Sequence, residues 1–257
     1  MTQSEHREDE ETAVNFEPSA KAQDMLARVR AFMKNEIAPI EKAYWDNIEA
    51  RCNGRDWTQW QIPEQMETLK AKAKAQGLWN MFLPDAQLGA GLSTLEYALI
   101  AEETGRSLIA PEVFNCNAPD TGNMEVLWKY GSPEQQAQWL MPLLRGEIRS
   151  VFCMTEPDVA SSDATNMQAT AELVGNEVVI NGTKWWSSGI GDPRAKIAIV
   201  MARTSNDEAG RHSQHSMVLV PLDTPGVEIK RMLPVFGTYD EPHGHGEVHF
   251  NNVRVPR

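Results

Sequence analysis

Apolar residues in the first half of the chain recur at helical spacing. Ala22, Met25, Leu26, Val29, Phe32, Met33 and Ile37 fall on one stripe, which predicts a helix with one face on a core. Pro39 ends or bends it. A second helix is predicted from near Pro63, with Met66, Leu69 and Ala73 turned inward and a stop at Gly77. Ser93 and Glu96 have the spacing of a capping box and open a third helix that runs to about Thr104. A fourth covers roughly 123–130, before Gly131. Ser132 and Gln135 then cap a fifth that stops before Gly146.

After about Ser150 the period shortens. Residues 169–173 and 177–180 read as strands, with Gly175-Asn176 as a tight hairpin turn between them. Asn181-Gly182 reads as a further turn. Strands are also predicted over 196–201, 217–220, 227–230 and 247–250, and the polar stretch 204–215 reads as an exposed hairpin loop. The chain has no internal repeat. The fold class is therefore α+β: an N-terminal all-helical domain (17–149) followed by an antiparallel β-barrel or sandwich domain (150–257). Residues 1–16, rich in acidic side chains, read as a disordered tail.

Composition narrows the function. The 257 residues carry 24 basic and 36 acidic side chains, a net charge of −12. Such a surface repels nucleic acid and anionic lipid, so neither is an expected partner. No apolar run is long enough to cross a bilayer. Cys52, Cys116 and Cys153 are few and odd in number, which points to a reducing compartment. The N-terminus has neither a secretory nor an organelle-targeting pattern, and a cytoplasmic location is expected.

Two segments carry candidate chemistry. Residues 151–163 read Val-Phe-Cys-Met-Thr-Glu-Pro-Asp-Val-Ala-Ser-Ser-Asp. Thr155 offers a hydroxyl and an amide to a polar ring edge, Ser161 and Ser162 offer hydroxyls to a phosphate, and Asp163 can brace the loop by accepting amide hydrogen bonds. Taken alone, this is also what an ordinary strand exit looks like. Residues 184–189 read Lys-Trp-Trp-Ser-Ser-Gly. Neighbouring tryptophans on a strand point to opposite faces, so one can pack inward while the other flanks a flat ligand. Both tryptophans covering a β core is the plainer alternative.

Together these segments resemble the flavin-binding segments of the acyl-CoA dehydrogenases. Supporting stretches are Phe114 to Leu127, Gly146 to Ser150, Gly191 to Arg194 and Asn251 to Pro256, so the resemblance covers roughly 20–257. It implies a helical domain, a β domain and a C-terminal four-helix domain, with the sequence ending where that last domain would begin. It implies FAD as cofactor, an acyl-CoA substrate, α,β-dehydrogenation of the thioester, an electron-transfer flavoprotein as acceptor, and a homo- or hetero-oligomer that supplies the missing helices. By position, Phe152, Met154 and Thr155 line the flavin, with Thr155 on its pyrimidine side. Trp186 stacks on the ring system, Ser187 and Ser188 supply hydroxyls, and Ser188 reaches the hydride-accepting nitrogen. Ser162 binds the FAD pyrophosphate or the pantetheine arm of the substrate.

Many members have five residues, two of them glycines, between the Glu and Asp of the first motif. Here there are six, Pro157 through Ser162, and no glycine, so Ser161 can stand in for Ser162. The resemblance implies a structural role for Glu156, and it puts the catalytic base in the absent helical domain. A non-catalytic module that binds acyl-CoA, FAD or another subunit is the alternative reading. His243, His245 and His249 have a zinc-like composition, but the resemblance covers them as a strand, and no metal is assigned. Cys116 and Asp120 fall in a loop that borders the family's acyl pocket.

Overall fold

The computed structural model describes residues 16–52, 56–205 and 208–257. The predicted acidic tail lies outside them except for Phe16. Helix α1 (Ala20–Phe32) begins where Ser19 accepts a hydrogen bond from the Ala22 amide at 3.2 Å, and it buries Ala22, Met25, Val29 and Phe32. A π-helical turn (Met33–Ile37) continues the stripe to Ile37. Helix α2 (Glu41–Arg51), which the sequence pattern does not announce, buries only Tyr44 and Ile48. Helix α3 (Glu64–Ala75) ends in a Schellman motif. Gly77 at φ 67 lets its own amide reach the Lys74 carbonyl and the Leu78 amide reach the Ala73 carbonyl, both at 2.9 Å.

Helix α4 (Thr94–Thr104) starts with the predicted capping box. A short helix α5 (Ala110–Val113) precedes α6 (Asp120–Tyr130), which begins three residues before the expected 123. The last helical stretch comprises α7 (Pro133–Gln135), a second π-helical turn (Gln136–Leu140) and α8 (Met141–Leu144), and Ser132 caps it as predicted.

Among the described residues seven strands follow: β1 (Arg149–Cys153), β2 (Thr170–Val174), β3 (Glu177–Ser188), β4 (Ala195–Arg203), β5 (His215–Pro221), β6 (Val227–Met232) and β7 (His245–Pro256). The sheet is mixed, which corrects the expectation of a purely antiparallel one. β1 runs parallel to β4, and β2 touches β4 in parallel at one register position, while the other pairs are antiparallel. The long excursion from Cys153 to Ala195 supplies the crossover a parallel pair requires. Gly175-Asn176 does form the hairpin turn between β2 and β3.

Asn181-Gly182 does not turn. It lies inside β3, where Asn181 accepts a hydrogen bond from the Asn252 amide at 2.8 Å. Gly182 sits at φ 146, and a Cβ there would come within 2.5 Å of the Ala169 Cβ. One apolar core runs through helices and sheet together. Trp60, 3 % exposed, belongs to it and packs against Gly191 and Gly244 of the β region.

Candidate functional site

β1 carries the first motif out of the core. Val151 and Cys153 are fully buried, whereas Phe152, on the other face of the strand, and Met154 and Thr155, just past its end, are half-buried. The backbone of the second motif lies beside it: the Trp185 amide donates to the Thr155 carbonyl at 2.9 Å. An ion pair fixes the two together. Lys184, fully buried, donates to the Met154 carbonyl at 2.9 Å and to Glu156 Oε1 at 2.8 Å. Glu156 also accepts the amides of Gln168 at 2.7 Å and Ala169 at 2.9 Å. Burial lowers the pKa of Lys184, and Glu156 opposes that shift. Glu156 is thus a clamp with both oxygens occupied.

The loop between them uses its serines differently. Ser161 is 2 % exposed and its Oγ accepts the Glu156 amide at 2.7 Å, while Ser162 is exposed. Asp163 braces the next turn by accepting from the Thr165 amide at 3.0 Å.

The tryptophans do not alternate as a regular strand would place them. The β3–β7 register shifts between Lys184 and Ser187, and Trp186 adopts φ 52. This bulge resets the pleat. Lys184 and Ser187 are buried, Trp185 is half-buried and Trp186 is 41 % exposed, with the two indoles 5.9 Å apart. A bulky residue in the left-handed region is strained, at a cost of about 1–3 kcal/mol. Ser187 turns its side chain into the interior, near a Cys153 thiol that burial pushes up to about 11. Its hydroxyl is closed off from the face that Trp186 and Ser188 occupy.

Phe152, Met154, Thr155, Trp186 and Ser188 are all at least partly accessible where the two segments meet, and this junction is the shelf. An exposed indole flanked by apolar side chains and two hydroxyls fits a flat aromatic ring with a polar edge. His245, weighed in the sequence only as a metal ligand, joins it through Ser188. Ser188 Oγ lies 2.8 Å from His245 Nδ1, and the Trp186 and His245 rings are 6.5 Å apart. The contact depends on the β3–β7 register, which no local pattern reveals. Two concavities lie elsewhere. One, about 490 Å³, is bordered by Trp45, Leu108 and Asp240; the other, about 980 Å³, lies between α6 and the sheet. Neither is lined by the shelf residues.

The supporting sequence stretches meet in a second place, a buried ionic cluster where helices join the sheet. Arg149 pairs with Asp120 and with Glu112 at 3.0 Å. Arg194 pairs with Glu112 and Asp192, both at 2.8 Å. His243 lies 2.9 Å from Asp192 and 3.2 Å from Glu112. Burial alone would pull the His243 pKa down, but the bonds to Asp192 and Glu112 raise it to about 9. The two arginines hold Glu112 well below the usual carboxylate range against its burial. Protonated His243 makes three cations for the three buried carboxylates Glu112, Asp120 and Asp192, while Glu67, 56% exposed, meets Arg194 from the rim at 3.2 Å. Asp120 belongs here, 1 % exposed, and not to a substrate-facing loop. His249 pairs with Glu247 at 2.9 Å, and among the described residues no three His, Cys, Asp or Glu side chains converge as metal ligands.

The family description "Acyl-CoA dehydrogenase, N-terminal domain" matches residues 19–147, and "Acyl-CoA dehydrogenase, middle domain" matches 151–253. Acyl-CoA dehydrogenase family member 11 of Gallus gallus is 58% identical over 242 residues, covering 94% of this chain and 30% of that protein. The structure of a putative acyl-CoA dehydrogenase from Mycobacterium abscessus aligns with TM-score 0.88 at 58% identity, covering 93% of this chain and 60% of its own. A glutaryl-CoA dehydrogenase from Mycobacterium smegmatis in complex with FADH2 shares the fold, with TM-score 0.68 at 24% identity over 93% of this chain and 54% of its own. The chain therefore spans between about a third and three fifths of the length of these proteins.

Proposed function

This chain belongs to the acyl-CoA dehydrogenase family through its N-terminal and middle domains, and we propose that its shelf holds the ring system of FAD in an oxidoreductase acting on acyl-CoA thioesters. Trp186 carries this reading. A tryptophan held at φ 52 and left 41 % exposed is costly in a folded protein unless something covers it. The FADH2 complex of the glutaryl-CoA dehydrogenase of the same fold supports a flavin as that cover.

Each residue then has a task. Trp186 would cover the ring face and keep water from it. Phe152 and Met154 would give apolar contact, and Thr155 would offer its hydroxyl and amide to the pyrimidine edge. Ser188 would offer its hydroxyl to the central nitrogen edge. Ser162, the exposed serine of the loop, would take the pyrophosphate or the pantetheine arm, because Ser161 is buried beneath the loop, where it accepts the Glu156 amide. FAD bound here supplies a hydride acceptor for the β carbon of the acyl chain. The α proton must leave to a carboxylate, and Glu156 is not free to take it, since Lys184 and two backbone amides occupy its oxygens. We assign the base, the electron-transfer flavoprotein that reoxidises the cofactor, and the subunit contacts to parts beyond these residues.

The test is FAD affinity. Trp186→Ala and Thr155→Ala should each weaken binding about tenfold or more, the equivalent of roughly 1.4 kcal/mol, while Lys196→Ala on β4 should not. Equal affinity across all three variants and the parent would refute the assignment.

A further inference from the structure

Ser188 is not alone at its edge of the shelf. Its Oγ lies 2.8 Å from Nδ1 of His245, and Nε2 of the same ring lies 3.3 Å from Oδ2 of Asp240. The register of β3 on β7 sets the first contact, since Ser188 faces His245 directly. Asp240 is held at φ 53 in the turn that leads into β7. Its carboxyl sits below its ordinary range, chiefly through the bond to His245. The His245 side chain is 24% exposed, at the boundary between core and solvent.

The other charged groups nearby are engaged elsewhere. His243 bonds to Asp192 and Glu112 in the buried cluster and reaches Asp240 only at longer range. Glu247, two residues along β7, is paired with His249 and Arg231. From β3, Ser188 and Trp186 bring no charge. Asp240 is therefore the charged partner of the imidazole.

We propose that His245, oriented by Asp240, is a positioning residue that decides whether Ser188 offers a donor or an acceptor to the ring bound on the shelf. This deepens the FAD reading and rests on it. With a neutral ring, the Asp240 carboxylate accepts from Nε2–H, which leaves Nδ1 bare. Ser188 then donates its hydroxyl hydrogen to Nδ1 and turns an oxygen lone pair toward the shelf. When the ring takes a second proton from solvent, Nδ1–H donates to Ser188 Oγ instead. The hydroxyl hydrogen is released and points outward as a donor. A ligand nitrogen without hydrogen needs the donor, and one carrying hydrogen needs the acceptor. One imidazole thus supplies both, and no covalent bond changes.

The experiment follows the visible absorbance of the FAD-loaded chain from about pH 5 to about pH 9, the range in which an imidazole titrates. It compares the parent with His245→Gln, Asp240→Asn and Ser188→Ala, and a thermal melt of each variant establishes that it is folded. The parent should show a one-proton step within that range. His245→Gln and Ser188→Ala should lose the step, and Asp240→Asn should move it to lower pH. An unchanged step in His245→Gln, or no step in a parent that holds FAD, overturns the proposal. A parent that binds no FAD overturns the flavin reading itself and this inference with it.

Discussion

Single residues decide the shelf. Trp186 is strained and exposed at once, and the two properties separate in one substitution. Glycine adopts φ 52 without penalty. Trp186→Gly is therefore expected to leave thermal stability unchanged or raise it by about 1 kcal/mol, while FAD binding is lost. A large drop in the melting temperature would show that the indole packs the core instead. The Glu156–Lys184 pair behaves in the opposite way. Both side chains are buried, so Glu156→Ala leaves an uncompensated ammonium and is expected to cost about 3–5 kcal/mol in chemical denaturation. A cost under about 1 kcal/mol, the range of an exposed pair, would contradict the clamp. The clamp role of Glu156 was legible in the sequence through the family resemblance. The role of His245 was not, because its alternation with Glu247 and His249 suggests only a strand face. What gives it meaning is Ser188, on a strand more than fifty residues earlier.

Among elements, those that state their own ends were the ones legible beforehand. The capping boxes at Ser93 and Ser132 and the Gly77 stop are local hydrogen-bond patterns, and all three appear where the spacing puts them. Helix α2 was illegible because only Tyr44 and Ile48 face inward, too few to make a stripe. The parallel pairing of β1 with β4 was illegible because periodicity reports which face is buried and says nothing of the neighbour's direction. Asn181-Gly182 misled for a physical reason. The glycine is required by the close approach of Ala169 inside β3, and not by a turn. Gly182→Ala is accordingly expected to destabilise the sheet by about 1–3 kcal/mol through overpacking, measured by denaturant unfolding. An unchanged midpoint would show that β3 can shift away at that point.

At the scale of the molecule, the ionic cluster ties the helices to the sheet through Glu112 and Asp120 on one side and Arg149, Asp192, Arg194 and His243 on the other. His243 gives it a pH signature. Its pKa is raised from 6.5 to about 9 on folding, so its contribution is complete below the unfolded value and is lost as pH rises from there through about 9. Thermal melts should fall across that window, and His243→Gln should flatten the fall; a parent melting temperature constant across the window would contradict the charged cluster. Arg149 of this cluster lies on β1 and the common core takes in both β1 and β3, and the shelf is where their two motifs emerge side by side. The measurement that tests the central claim most directly is hydrogen exchange of the chain with and without FAD, read by mass spectrometry. Exchange is expected to slow on FAD addition at the amides of 152–163 and 184–189, with the rest of the sheet unchanged. Protection confined to other segments, or none at all, would contradict it.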